Sequence, residues 1–353
     1  MEHIIGLKCI SYRKWGNIMT VGFFGGKFLP LHQGHVNCII KASGMCDILY
    51  VGVSHSDDDM ELFDGKMKPI TLEKRMQFVS QIASQLPNVK VISFKQKNTM
   101  DILDWKDGAS IIRNTIMKQI DFVFSSEDSY GAFFDNLYPN SKHVLLDIDR
   151  DEFPIYATDI RRDGAFKHWN YIPNVCKSYY NKKVVIIGTE SCGKSTLVKK
   201  LALHYNTNYV AEYGRDMCEL LNTGQPTKEY YPYIAYGHKT KEFNAILNSN
   251  KILFVDTEAT VTQFYSELYA DKTYAVLEEI VKTNDYDLFI LLDIDVPWVN
   301  DGLRIHGWER QRIDNHKKLI VLLEKYGVEY KLVKGSYNER YLKSVELVDE
   351  LLS

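Results

Sequence analysis

The chain has 353 residues, 45% hydrophobic and 25% charged, which is more than one hydrophobic core ordinarily serves and is the composition of a folded globular protein. Lys and Arg number 43 against 46 Asp and Glu, for a formal charge of −3. That balance excludes a global pull toward nucleic acid or an anionic membrane, so no nucleic-acid partner is expected and any phosphate binding must be local. The longest apolar run, around Leu288 to Leu292, is far short of the roughly 18 residues that span a bilayer, so a membrane protein is not expected. Residues 1–18 make a poor secretory signal and read as an N-terminal extension, with Met19 a second candidate start. The six cysteines (Cys9, Cys38, Cys46, Cys176, Cys192, Cys218) show no C-x-x-C pair and read as reduced thiols of a cytoplasmic protein.

In chain order, the first strand is predicted over Thr20 to Phe24. A turn, Gly25-Gly26-Lys27-Phe28-Leu29-Pro30, follows it, and then a helix from about Gly34 to Cys46. Strand-like runs recur at Ile48 to Val53, Val89 to Phe94, Phe122 to Phe124 and Val144 to Ile148, with helical stretches between them. That alternation predicts an α/β domain with a mainly parallel, Rossmann-like sheet covered by helices on both faces. The acidic stretch Ser56-Asp57-Asp58-Asp59 follows a strand and reads as a solvated loop, with metal binding the alternative.

At Tyr180-Asn181-Lys182-Lys183 the pattern restarts: a strand over Val184 to Ile187, a Gly-rich turn from Gly188 to Gly193, and a helix from Lys194 to about Tyr205. Later strands are expected near Tyr209 to Ala211, Ile252 to Val255, Leu288 to Leu292 and Tyr330 to Val333. The expected organisation is therefore a first domain over 19–173, a linker over 174–181 and a second α/β domain over 182–353.

The second turn, Gly188-Thr189-Glu190-Ser191-Cys192-Gly193-Lys194-Ser195, is a full G-x-x-x-x-G-K-[ST] between a strand and a helix. Small residues let successive backbone N–H groups face phosphate oxygens, and the helix presents its positive end. This predicts an ATP site at Gly188, Glu190, Ser191, Cys192, Gly193, Lys194, Ser195 and Thr196, with Lys194 on the β and γ phosphates and the Ser195 hydroxyl in a Mg²⁺ shell. Asp256 closes an apolar strand at the sheet's carboxyl edge, as a Mg²⁺ ligand or a base. Glu212 and Arg215, after another strand, read as holding the acceptor, with a surface or capping role the alternative for these and for Asp256. Asp301 and Arg304, followed by Arg310 and Arg312, read either as a cationic lid over the phosphates or as a solvated loop.

In the first domain the turn leads to two histidines three residues apart, His32 and His35, where a helix should begin. A metal pair lacks a third ligand at suitable spacing, and core or capping roles stay open. The preferred reading has both imidazoles donate N–H groups to a triphosphate and to the charge that develops as an α phosphate is attacked.

The run from Gly26 to His35 matches G-x-F-x-P-x-H-x-G-H and resembles the nucleotidyltransferase superfamily that includes the nicotinamide mononucleotide adenylyltransferases. That superfamily closes its domain with I-S-[ST]-T-x-x-R, and here Ile155-Tyr156-Ala157-Thr158-Asp159-Ile160-Arg161 stands in its place, with Tyr156 where the family has a small hydroxyl. The resemblance implies ATP contacts from Gly25, Gly26, Lys27, Phe28, His32, His35, Thr158 and Arg161, with Ser125 and Ser126 near the nucleotide. Joined to a P-loop kinase in one chain, the arrangement resembles the NadR family, which unites nicotinamide mononucleotide adenylyltransferase and ribosylnicotinamide kinase. The stretch ahead of Met19 is too short for the repressor domain some relatives carry.

The implied function is bifunctional NAD biosynthesis. Nicotinamide riboside would take the γ phosphate of ATP, with Mg²⁺, and the mononucleotide would then attack the α phosphate of a second ATP to give NAD and pyrophosphate. A flat nicotinamide calls for aromatic stacking, for which Trp298, Tyr230, Tyr231, Tyr233 and Tyr236 are the candidates, with a place in the aromatic core the equal alternative for each. Two other readings stay open: a riboside kinase whose first domain is regulatory, and an ATP and NAD sensor. The oligomeric state, a homo-oligomer included, is open as well.

Overall fold

The computed structural model describes residues 19–99, 101–127, 131–223, 226–298 and 308–353; the expected N-terminal extension, Asp301 and Arg304 lie outside them. The chain divides into two compact units, Met1–Cys176 and Lys177–Ser353.

The first unit runs β1 (Val21–Gly26), α1 (Gln33–Ser43), β2 (Ile48–His55), α2 (Leu72–Ala83), β3 (Val89–Lys95), α3 (Ile102–Ile116), β4 (Phe122–Ser125), α4 (Gly131–Leu137), β5 (Lys142–Leu145) and α5 (Ala157–Asp163). Its strands pair in parallel in the order β3-β2-β1-β4-β5. Strand order reverses at β1, so its carboxyl end opens on a crevice between two diverging connections, where ligands of such sheets bind. One face packs Val21, Phe23, Ile48, Tyr50 and Phe94 against Ala109, Ile112 and Ile116 of α3. Side-chain caps start two helices: Thr71 Oγ1 accepts from Lys74 N at 3.3 Å, and Asp101 Oδ1 from Leu103 N at 2.8 Å. The last strand sits earlier than the expected Val144 to Ile148, because it pairs Lys142 to Leu145 with Phe122 to Ser125 and the chain then turns at Asp147, φ 53°.

Helix α6 (Asn174–Tyr180), over most of the expected linker, carries the chain into the second unit. There β6 (Lys182–Ile187), α7 (Lys194–His204), β7 (Tyr209–Val210), α8 (Tyr213–Leu221), α9 (Tyr231–Ile246), β8 (Ile252–Asp256), α10 (Ala259–Ala270), α11 (Ala275–Lys282), β9 (Leu288–Leu292), α12 (Glu309–Lys325), β10 (Lys331–Val333) and α13 (Tyr337–Leu352) follow. The parallel order is β10-β9-β6-β8-β7. Side chains alternate across this sheet and both faces are covered, which is why its strands read as continuous apolar runs. Val184, Ile186, Phe254 and Leu292 pack on α7 and α13, whereas Val185, Ile187, Val255 and Leu291 pack on α10 and α12.

Candidate active sites

In the first unit a cavity of about 540 Å³ lies at the carboxyl end of β1 and β4. Its walls include Gly25, Gly26, Lys27, Phe28, His32 and His35 from one side, and Ser125, Ser126, Thr158 and Arg161 from the other. The expected nucleotide residues are thus assembled around one space.

His32 is the buried N-cap of α1, and His35 lies one turn on, so the two rings stack with centroids 3.7 Å apart. His35 Nδ1 accepts a long hydrogen bond of 3.4 Å from the His32 backbone N–H, which leaves its proton on Nε2. Burial, then the charge of Arg150, pushes the His32 imidazole down to about 3. Burial, its neighbour His32 and Arg150 hold His35 well below its ordinary value too. Both rings are therefore neutral at working pH and each offers one N–H, as the hydrogen-bonding reading requires. Phe28 takes φ 49°, and its ring meets His35 edge-on at 5.1 Å.

Lys27 is less free than its position in the motif implied. Its Nζ lies 2.6 Å from Asp59 Oδ1, while the buried Arg75 donates to Asp59 Oδ2 at 2.7 Å and to the carbonyls of Lys27 and Ser54 at 3.0 Å each. Burial would raise the Asp59 carboxyl, but Lys27 and Ser56 hold it well below the usual carboxylate range. The expectation of a solvated loop over 56–59 holds for Asp57 and Asp58, which are exposed, and fails for Asp59, which is 2% exposed. Three consecutive Asp residues gave no sign which one faced inward, and Arg75 lies in a helix with no motif.

Arg161 donates to the Leu29 carbonyl and, at 3.1 Å, to Thr158 Oγ1, so the two matching residues of the closing motif fasten each other to the histidine turn. Ser125 Oγ lies 2.8 Å from His143 Nε2. Arg150, which the sequence did not single out, also lines the cavity. Its guanidinium stands 3.8 Å from the centre of the Tyr156 ring, donates to the Ile155 carbonyl at 3.2 Å and pairs with Glu127.

In the second unit the P-loop wraps the amino end of α7. Gly193 takes φ 90°, and a Cβ there would stand 3.0 Å from the Tyr337 ring, so both backbone and space call for glycine. Lys194 is buried and donates to the Thr189 carbonyl at 2.9 Å. The loop is tied from behind by the buried Arg340, which donates to the Cys192 carbonyl at 2.5 Å and the Asp293 carbonyl at 3.0 Å.

Asp256 ends β8 and is 1% exposed. Burial and the charge of Glu212 push its carboxyl up to about 6, against the pull of Lys194 and a hydrogen bond from Ser195. The His238 ring, buried, lies with Nε2 3.1 Å from the Asp256 carbonyl, so that nitrogen carries the proton.

A cavity of about 140 Å³ joins residues 190–196 of the loop to Glu212 and Arg215 and to an aromatic wall of Tyr231, Tyr265 and Tyr269. Tyr265 and Tyr269 stack with planes 6° apart, and the Tyr269 hydroxyl donates to Glu190. Of the stacking candidates named from sequence, Tyr231 lines this space. Tyr233 and Tyr236 point to solvent, 65% and 56% exposed. Trp298 is not among the described lining residues, and its ring faces Arg312, 5.8 Å away. The expected lid changes too: Arg310 and Arg312 belong to α12, and Arg312 is occupied by the Ile294 and Val296 carbonyls at 3.0 Å each. Sequence reasoning did not reach Tyr265 and Tyr269, because no motif marks two tyrosines four residues apart on a helix.

Two family models match, described as Cytidylyltransferase-like over residues 23–163 and AAA domain over residues 183–340. The trifunctional NAD biosynthesis/regulator protein NadR of Escherichia coli is 31% identical over 100% of this chain and 87% of that protein. This chain belongs to the NadR family. The NadR protein of Salmonella typhimurium is likewise 31% identical, over 94% of the chain and 83% of its own length. A NadR protein solved in complex with NR, 24% identical, superposes with a TM-score of 0.76 over 94% of this chain and 96% of that one, so the fold is shared along nearly the whole length. A phosphopantetheine adenylyltransferase of Mycoplasma mycoides is 28% identical over 42% of this chain and 99% of that enzyme.

Proposed function

We propose that this NadR-family enzyme makes NAD in two steps, phosphorylating nicotinamide riboside in the second unit and adenylylating the resulting mononucleotide in the first. The observation that carries the reading is the pairing of two different sites in one chain. One has a buried carboxylate, Asp256, beside a P-loop lysine; the other has two neutral imidazoles and no carboxylate in contact with them among the described residues.

The difference matches the two nucleophiles. A riboside hydroxyl must lose a proton as it attacks a γ phosphate, whereas a phosphate nucleophile is already largely ionised near neutral pH. In the second unit the N–H groups of the loop and Lys194 take the β and γ phosphates, while Glu212 and Arg215 hold the acceptor and the Tyr265–Tyr269 stack offers the flat surface a nicotinamide ring needs. The Ser195 hydroxyl and the Asp256 carboxylate are hydrogen-bonded oxygen donors at the amino end of α7, a pair that fits Mg²⁺, which takes one or two protein oxygens and completes its shell with water and phosphate. Bound there, Mg²⁺ would offset charge on the transferring phosphoryl group.

In the first unit the N–H groups of His32 and His35, with Lys27 and Arg161, hold the triphosphate of ATP. The mononucleotide phosphate attacks the α phosphorus, the bond to the β phosphate breaks, and pyrophosphate leaves with the charge that these donors stabilise. The partners are thus small molecules. Among the described residues no helix is long and apolar enough to cross a membrane, which suits a cytoplasmic enzyme.

The test is to mix the purified protein with nicotinamide riboside, ATP and Mg²⁺ and follow the nucleotides chromatographically. NAD preceded by transient mononucleotide is the expected result. Mononucleotide alone would leave a riboside kinase with a regulatory first domain, and an untouched riboside would end the kinase assignment.

A further inference from the structure

Tyr156 stands where the nucleotidyltransferase pattern has a small hydroxyl residue, and it caps α5 without a side-chain cap hydrogen bond. A serine there would satisfy a backbone N–H of the helix; a phenol is too long to do so. The ring has another contact. The Arg150 guanidinium lies 3.8 Å from its centre, within the range of a cation–π interaction. The same arginine donates to the Ile155 carbonyl at 3.2 Å, takes φ 52° and lines the cavity beside His32, His35 and Thr158. Its charge is felt at both histidines, where it opposes protonation of either ring. Its ion-pair partner Glu127 is half exposed at the cavity wall, so an incoming phosphate can compete for the guanidinium.

Lys27 makes the need for a further cation concrete. Its ammonium is shared with Asp59, which also carries the charge of Arg75. Around the two neutral imidazoles the remaining cations among the described lining residues are Lys97, Arg150 and Arg161; Arg161, one of the proposed triphosphate ligands, also fastens Leu29 O and Thr158 Oγ1, which leaves Arg150 as the further partly buried cation at the wall. Lys97 is paired with Asp104 at 2.9 Å, with its side chain 74% exposed.

We propose that Arg150 is a phosphate-binding residue of the adenylyl-transfer site and that Tyr156 is its positioning residue, the ring serving as a shelf that holds the guanidinium over the cavity. The departure from the family pattern exchanges a helix cap for a placed cation. This inference rests on the reading of the first unit as an adenylyltransferase.

The experiment measures NAD formation from supplied mononucleotide and ATP, in the full-length protein, for Arg150→Ala, Tyr156→Ser, Tyr156→Phe and the Arg150→Ala/Tyr156→Ser pair. Hydrogen exchange over β1 and α1 of each variant, compared with wild type, serves as the control for folding of the first unit. Arg150→Ala should lower kcat/KM roughly 100-fold, as loss of one placed donor does. Tyr156→Ser should lower it roughly 3- to 30-fold, the range of a cation–π contact. Tyr156→Phe, which keeps the ring, should stay near wild type, and the pair should match Arg150→Ala alone. A Tyr156→Ser protein as active as wild type or more so, a Tyr156→Phe protein as impaired as Tyr156→Ser, or additive effects in the pair would each overturn the shelf. An Arg150→Ala protein with unchanged kcat/KM would overturn the phosphate role. Wild type that makes no NAD from mononucleotide fails the adenylyltransferase reading itself, and this inference with it.

Discussion

The Lys27 ammonium and the Asp59 carboxylate stand 2.6 Å apart at the mouth of β1, where the buried Asp59 joins the partly exposed Lys27 to the buried Arg75. Removing the anion strands a guanidinium that is 1% exposed. Asp59→Asn should therefore cost the first unit about 3–5 kcal/mol, the usual penalty for breaking a buried pair from one side. Thermal unfolding checks it, and a loss below 1 kcal/mol would mean that water reaches Arg75. Because the native carboxyl is held below its ordinary 3.8, its contribution is complete above that value and is lost as the pH falls below it.

Lys194 sits at the start of α7, in the unit that holds no part of the histidine cavity. Lys194→Ala should reduce riboside phosphorylation at least about 100-fold while leaving adenylylation of supplied mononucleotide within a factor of two. Steady-state assays of the two half-reactions decide the matter, and a joint loss would contradict independent sites.

Both sites were legible as motifs because each one is a local device. A β-branched strand feeding a glycine turn and a helix start needs neighbours in sequence alone, so Gly188 to Ser195 and Gly26 to His35 announced themselves. What was hidden depends on side chains that meet across the fold. Asp59 gains its partner from α2, Tyr269 reaches Glu190 from α10, and Arg150 finds Tyr156 across a turn with positive φ. The sequence could not rank the tyrosines for a related reason: Tyr231, Tyr233 and Tyr236 point around α9, and of these Tyr231 lines the cavity.

The buried His32 makes the first unit sensitive to acid. Its imidazole is pushed down to about 3 in the folded protein, below the ordinary 6.5, so the unfolded chain binds the proton first as the pH falls. Stability is full above 6.5 and is lost progressively toward the folded value, on the order of 3 kcal/mol by pH 4.5. Hydrogen exchange over α1, read peptide by peptide, should accelerate across that window in wild type, less in His32→Gln, where the buried His35 still resists its proton, and least when both histidines are replaced. Equal acceleration in both proteins would locate the acid-sensitive group elsewhere.

Asp256 has the opposite sign. Its folded value of about 6 lies above the ordinary 3.8, so the folded chain prefers the proton and stability falls as the pH rises through that interval. The cost of the buried carboxylate then persists at neutral pH, where the site needs the charge. Asp256→Asn should abolish riboside phosphorylation yet stabilise the second unit by on the order of 1–3 kcal/mol at pH 7.5, with the difference vanishing near pH 4. In wild type the same titration should raise the Mg²⁺ concentration needed for half-maximal kinase rate as the pH falls through about 6, because a proton and the cation compete for one carboxylate. Melting curves at the two pH values, with and without Mg²⁺, check both halves. A destabilised Asp256→Asn protein at pH 7.5 would show that the carboxylate is held by favourable contacts rather than kept charged for function at a cost to the fold.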